Sequence, residues 1–168
     1  MQIIGLTLSA FTRLHVVLSL IGLLAGLVVV LAMLADKRLP GWTVLFLAST
    51  ALTSLTGFLF PFSHLLPSHV VGLVSLLVLA IAALALYAFR LAGAWRSLFI
   101  VSAILALYLN VFVAVVQAFQ KLAFLQPLAP TQAEPPVVVA QLAVLGIFIA
   151  LGVLALRSFY PAPRSALA

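Results

Sequence analysis

LHVVLSLIGLLAGLVVVLAMLA, residues 14–35, runs for 22 residues without an Asp, Glu, Lys or Arg. A transmembrane α-helix needs about 20 consecutive, mainly apolar residues to cross the hydrocarbon core of a bilayer. The run is rich in Leu, and its apolar and polar residues do not alternate. This pattern indicates a helix rather than a strand of a membrane barrel. The stretch therefore predicts a first transmembrane helix.

The composition of the whole chain points the same way. Of its 168 residues, 67% are hydrophobic and 6% are charged, and the mean hydropathy is +1.41. Soluble domains carry about 25% charged residues, so this chain cannot cover itself with a water-facing surface. We expect an integral membrane protein whose first partner is the lipid bilayer. The net charge of +6 lies at the ends of apolar segments, which argues against nucleic acid as a partner.

Four further apolar segments follow the first. Together the sequence predicts an all-α, polytopic membrane bundle of five transmembrane helices, at about 14–35, 42–60, 69–89, 97–119 and 137–156. The separating stretches contain Pro, Gly and charged residues, which break helices. All connections except 120–136 are short, so neighbouring helices should be antiparallel. We therefore expect one bundle over residues 1–168, with no second domain.

The charges predict an orientation. Alternating spans place six Lys or Arg residues on one face of the membrane and leave Arg13 and Lys121 on the other. Cytoplasmic loops carry the excess of Lys and Arg. We expect the N-terminus outside and the C-terminus in the cytoplasm.

Small and polar residues predict which helix faces point inward. His15, Gly22 and Gly26 share one face of the first span, and the two glycines form a GxxxG pair that allows close helix packing.

Asn110 lies near the middle of the fourth span, where an amide facing lipid would lack a partner. We expect it to face the bundle and donate to Thr53 or Thr56, with Gln117 on the same stripe. An interhelical hydrogen bond and a transport pathway both remain open for this stripe.

The histidines predict a candidate site at the outer end. His15, His64 and His69 all fall at the same membrane level. Imidazole is a common metal ligand and an axial ligand of haem. His15 and His69 would hold haem b, whereas a transition metal would use His15, His64, His69 and the loop carboxylate Glu134. Hydrogen bonding of interfacial histidines to headgroups or water, and a quinone or lipid-headgroup site, remain alternatives.

The sequence shows no recognisable set of catalytic residues, and the chain has no cysteine. An enzyme is therefore not indicated. The leading hypothesis is a redox or binding protein that holds haem b or a transition metal. A structural or accessory subunit, with a membrane-protein partner or a second copy of the chain, is the alternative. A small transporter that uses the Asn110 and Gln117 stripe is a third hypothesis.

Four stretches carry a resemblance: LTGFLFPFSHLLPSHVVGLVSLLVL (55–79), RLAGAWR (90–96), LYLNVFVAVVQAFQK (107–121) and LAPTQAEPP (128–136). They span about the middle half of the chain. In them the chain resembles an uncharacterised family of small multi-pass bacterial inner-membrane proteins. The resemblance implies a location in the bacterial cytoplasmic membrane, and it brings no activity with it.

Overall fold

The computed structural model describes residues 2–3, 5–61 and 67–160 of the chain. Within these ranges it has five α-helices and a short N-terminal hairpin. The helices are α1 (Leu8–Leu34), α2 (Pro40–Gly57), α3 (Pro67–Ala83), α4 (Ala94–Lys121) and α5 (Pro135–Ser158). The hairpin pairs β1 (Gln2–Ile3) antiparallel with β2 (Leu6–Thr7).

Each predicted apolar segment overlaps one of the five helices, which begin two to six residues earlier, so the all-α prediction is confirmed. Three helices begin at a proline: α2 at Pro40, α3 at Pro67 and α5 at Pro135. Proline suits a first helical position because the N–H that it lacks has no partner there. The hairpin and a π-helical turn that continues α3 over Leu84–Ala88 were not predicted.

Four stretches are long and apolar enough to cross a membrane: Leu8–Leu34, Ser68–Ala88, Ala94–Lys121 and Pro135–Ser158. Their outward side chains fit this role, since Leu24 of α1 is 66% exposed and Leu73 of α3 is 64% exposed. Large apolar side chains at such positions belong against lipid rather than water. These helices mark the chain as a membrane protein.

α2 is not one of these four stretches, and it is rich in hydroxyl side chains. Its 18 residues include six Ser or Thr, and a helix of that length measures about 27 Å. The hydroxyls of Thr43, Ser49, Thr53 and Thr56 each donate to the backbone carbonyl four residues earlier. Such bonds satisfy a hydroxyl within its own helix. α2 is therefore less apolar than a lipid-facing helix yet leaves these polar groups partnered.

The core lies around α4, which contacts α1, α3 and α5. Its largest fully buried side chains include Phe46 of α2, Met33 of α1, and Ile100 and Leu107 of α4. The polar stripe of α4 faces this core only in its first half, because Asn110 is buried whereas Gln117 is exposed. Gln117, on the same predicted stripe, therefore does not share the buried position of Asn110.

The predicted glycine face of α1 is confirmed, since both Gly22 and Gly26 are buried. A Cβ at Gly26 would lie 2.6 Å from Cδ1 of Leu107 and 2.8 Å from Cε2 of Phe46. A Cβ at Gly22 would lie 3.0 Å from Oγ1 of Thr50. Glycine at these two positions lets α2 and α4 approach the backbone of α1 closely.

Polar contacts gather three segments at one end of the bundle. The backbone N–H of Tyr160 donates to Oδ1 of Asp36, which follows α1, at 2.6 Å. The guanidinium of Arg96, near the start of α4, donates to the carbonyls of Leu156 and Phe159 at the end of α5. The connection from α1 to α2, the start of α4 and the end of α5 therefore meet at this end.

Candidate functional site

A cavity of about 110 Å³ lies between α1, α2, α3 and α4. We call it the histidine cavity, because His15 of α1 and His69 of α3 both line it. Its other polar lining residues are Ser19, Thr53, Ser54, Ser68, Ser75 and Asn110. His15 and His69, which the sequence predicts at one membrane level, therefore line the same cavity.

The ring of His15 is anchored to α2. Its Nδ1 lies 2.8 Å from Oγ1 of Thr56, and the Thr56 hydroxyl donates to the carbonyl of Leu52 at 2.7 Å. A hydroxyl has one proton. Because Thr56 directs that proton to a carbonyl, Nδ1 of His15 is the donor in the contact between them. The network thus assigns the neutral tautomer with the lone pair on Nε2.

His69 lies near the start of α3 and is only 7% exposed. Its ring packs at 5.6 Å, centroid to centroid, from the ring of Phe58, which follows the last residue of α2. A Cβ at Gly72 would lie 3.2 Å from the same Phe58 ring. Glycine one turn beyond His69 therefore leaves room for Phe58 to cover the imidazole.

Two polar contacts between helices border the cavity. Nδ2 of Asn110 donates to Oγ1 of Thr50 at 3.1 Å, and the hydroxyl of Ser54 donates to that of Ser75 at 3.2 Å. Asn110 does face the bundle, but the expected acceptors Thr53 and Thr56 were wrong. The acceptor is Thr50, one turn earlier on α2.

Two further residues were predicted as metal ligands, His64 and Glu134. His64 lies outside the residues that the structure describes. Among those it does describe, no group of three or more His, Cys, Asp or Glu residues is placed to hold a metal ion. Of the predicted set His15, His64, His69 and Glu134, the three described members therefore do not form such a group.

Glu134 is occupied by its own loop at the start of α5. Its carboxylate accepts from the backbone N–H of Thr131 at 2.9 Å, from the Thr131 hydroxyl at 2.8 Å and from the N–H of Ala133 at 3.1 Å. The Thr131 N–H is the largest cause of a pKa of the Glu134 carboxyl below its ordinary value, and it outweighs the opposite effect of desolvation. Glu134 is a turn-forming residue rather than a cavity residue.

Comparison with known proteins adds no assignment, since no protein-family model, no curated protein and no solved structure matches the chain. The chemistry of the cavity must therefore come from its own residues. It offers an imidazole lone pair at His15, a second imidazole at His69, and hydroxyl and amide oxygens around them. Such a set accepts hydrogen bonds, and its nitrogens bind borderline-soft metal ions.

Proposed function

We propose that the chain is a bacterial inner-membrane protein that binds one transition-metal ion in the histidine cavity, with His15 and His69 as nitrogen ligands. The observation that carries this proposal is that two histidines from different helices line the same cavity. Histidine is the commonest metal ligand among side chains. Zn, Cu, Fe and Ni all accept imidazole nitrogen.

The hydrogen bond of His15 supports the role of a ligand. A histidine that binds metal through one nitrogen usually donates the other N–H to an oxygen, which fixes the tautomer and the ring orientation. The Nδ1–Thr56 contact supplies such a partner at 2.8 Å. Within the described residues Nε2 of His15 has no hydrogen-bond partner, so it is the nitrogen left for an ion.

The size of the cavity favours an ion over haem b. Pockets for drug-sized ligands start at about 300 Å³, and the histidine cavity holds about 110 Å³. A haem would have to force α1 and α3 away from α2, where Phe58 and Thr56 hold the two rings. A single ion needs no such opening, and cavity hydroxyls or water complete its coordination.

The metal proposal is tested by loading the detergent-purified protein. The full chain is stripped with chelator, dialysed against Zn²⁺, Cu²⁺ or Ni²⁺, and its metal content is measured per mole of chain. We expect one ion per chain with at least one of these metals, and its loss in His15→Ala and in His69→Ala. Gln117→Ala is the matched control, because Gln117 is exposed on α4 and does not line the cavity.

Two outcomes would overturn the metal proposal. One is retention of the ion by both histidine variants, which would place it elsewhere. The other is failure of the folded chain to take up any of the three metals. In that case the accessory-subunit hypothesis takes its place, and a co-purifying membrane protein or a second copy becomes the expected finding.

The proposal includes five spans with the N-terminus outside and the C-terminus in the cytoplasm. Its support is the distribution of charge: Lys37, Arg38, Arg90, Arg96 and Arg157 belong to the end where Asp36 meets Tyr160, whereas Arg13 and Lys121 lie at the opposite helix ends. Lys and Arg accumulate on the cytoplasmic side of membrane proteins.

The absence of cysteine from the sequence makes this topology easy to measure. Single cysteines at the exposed residues Ala92 and Ala133 would be treated in intact cells with a thiol reagent that does not cross the membrane. We expect labelling at Ala133→Cys and protection at Ala92→Cys until the cells are lysed. The reverse pattern would invert the topology, and equal labelling would contradict the odd number of spans that separates the two sites.

A further inference from the structure

A second pocket lies at the end of the bundle opposite the histidine cavity. It holds about 190 Å³, and we call it the basic pocket. Its lining residues include Met33, Lys37, Arg38, Leu86, Tyr87 and Phe99. Met33 is 18 residues beyond His15 on α1, which amounts to about 27 Å along a helix. The two pockets are therefore separate sites.

The mouth of the basic pocket is positively charged. Lys37 and Arg38 both line it, and no acidic residue does so among the described residues. The neighbouring carboxylate, Asp36, is already bonded to the backbone N–H of Tyr160 at 2.6 Å. In the part of the chain that the structure covers, neither Lys37 nor Arg38 forms an ion pair. Two uncompensated cations at the edge of a membrane bundle attract an anion.

The walls of the basic pocket are apolar and come from elements that cross the bilayer. Met33 of α1 and Phe99 of α4 belong to the hydrophobic core, and Leu86 and Tyr87 extend the lining on the side of α3. A free inorganic anion gains nothing from such walls. An amphiphile places its charged group at the mouth and its hydrocarbon against them.

The pocket wall includes an irregular turn. Leu86 and Tyr87 fall within the π-helical turn Leu84–Ala88, where the N–H of Phe89 bonds to the carbonyl of Leu84, five residues earlier. Single π-helical turns are rare and frequently mark functional sites. Here the extra residue widens α3 beside the pocket and redirects its last side chains.

We propose that the basic pocket binds the headgroup end of an anionic glycerophospholipid, with its phosphate at Lys37 and Arg38 and the first carbons of one acyl chain against Val44, Leu86 and Tyr87. The pocket of about 190 Å³ holds only this part of the lipid, and the rest of the acyl chains lies outside it. The inference rests on charge complementarity at the mouth and hydrocarbon at the walls. It is independent of the metal proposal, because none of the residues involved lines the histidine cavity.

The test is a lipid titration of the delipidated full chain in detergent, followed by native mass spectrometry. Phosphatidylglycerol and phosphatidylcholine are compared, since both carry phosphate but only the first has a net negative headgroup. We expect phosphatidylglycerol to bind on the order of 30-fold tighter, because each nearby Lys or Arg contributes about a fivefold preference. The double variant Lys37→Gln with Arg38→Gln should lose that preference.

The matched control removes two charges from the other end, with Arg13→Gln and Lys121→Gln, and should keep the preference. Helicity by circular dichroism confirms that both double variants are folded. Equal binding of the two lipids by the unmodified chain would overturn the proposal, as would the same loss of preference in the control. Displacement of phosphatidylglycerol by millimolar inorganic phosphate would show an anion site that does not use the apolar walls, which also contradicts it.

Discussion

Nδ1 of His15 and Oγ1 of Thr56 lie 2.8 Å apart and join α1 to the last turn of α2. The Thr56 hydroxyl donates its one hydrogen bond to the carbonyl of Leu52. It can therefore only accept from Nδ1 of His15, which leaves the lone pair of the imidazole on Nε2. Thr56 does not line the cavity, yet it determines which nitrogen of His15 can bind a ligand there.

Thr56→Val should weaken metal binding while leaving the fold intact. The substitution keeps the shape of the side chain and removes the oxygen that orients His15. Loss of such a partner typically costs about 10–100-fold in metal affinity. Isothermal titration of the metal-free chain measures it, with Thr12→Val as the control, because the exposed Thr12 hydroxyl bonds only within α1. Equal affinity in the two variants would show that the Thr56 contact does not orient a ligand.

Gly26→Ala should destabilise the bundle by about 1–3 kcal/mol, the usual cost of overpacking a tight core. The added Cβ would meet Leu107 and Phe46 below 3.0 Å, and these side chains are 2% and 0% exposed, so neither has space to retreat. Gly146→Ala on α5 is the control, since a Cβ there has no neighbour within 4 Å. Unfolding in mixed detergent measures both, and similar stability of the two variants would refute close packing at Gly26.

The Asn110–Thr50 bond should appear as a coupling in a double-mutant cycle. We expect Asn110→Ala and Thr50→Val to show an interaction free energy of about 0.6 kcal/mol, and at most ~1.7 kcal/mol, as for other hydrogen bonds between membrane helices. A second cycle pairs Asn110→Ala with Thr43→Val, whose hydroxyl bonds back to Leu39 in its own helix. That cycle should give no coupling. Additive effects at Asn110 and Thr50 would mean that the bond does not contribute to stability.

Glu134 should make the loop before α5 sensitive to acid. Its carboxyl has a lowered pKa in the folded chain, chiefly because of the Thr131 N–H. A carboxyl with a depressed folded pKa stabilises the fold above its unfolded pKa, and that stability is lost as the pH falls through the folded pKa. Thermal unfolding of the chain and of Glu134→Gln should therefore differ at pH 7. The difference should shrink as the pH falls below the ordinary pKa of about 4.5 and be lost only below the lower pKa of the folded chain.

The chain favours this measurement because Asp36 and Glu134 are its only acidic side chains. Asp36→Asn serves as the charge-matched control, because it also removes one carboxylate but leaves the hydrogen bonds of Glu134 in place. A gap between the unmodified chain and Glu134→Gln that widens in acid would contradict the assigned direction of the pKa.

The helices could be predicted from sequence because their signals are local. Apolar length marks each segment, and Pro40, Pro67 and Pro135 mark where three of them begin. The inward face of α1 was also legible, since Gly22 and Gly26 recur at helical spacing. The Ser and Thr residues of α2 are visible in the sequence. Even so, α2 was predicted as a span like the others, and it is not one of the four stretches long and apolar enough to cross a membrane.

The partners of the polar residues could not be read in the same way. Asn110 was expected to reach Thr53 or Thr56 and instead reaches Thr50, because periodicity gives the face of a helix but not its axial register against a neighbour. Gln117 follows the same periodicity as Asn110 and is nevertheless exposed. Phe119, two residues beyond Gln117, is buried against Ala129 and Val137, so a different face of α4 is covered at this end. Periodicity within one helix does not predict such a change.

Four hydroxyls of α2 bond to carbonyls of their own helix, which affects the order in which the helices can assemble. Thr43, Ser49, Thr53 and Thr56 find acceptors in their own helix, so these four hydroxyls are satisfied before any neighbouring helix is made. The amide of Asn110 differs, because its acceptor Thr50 belongs to a helix that is synthesised earlier. During synthesis, therefore, these hydroxyls of α2 need no other helix, whereas Asn110 finds its acceptor only when α4 packs against α2.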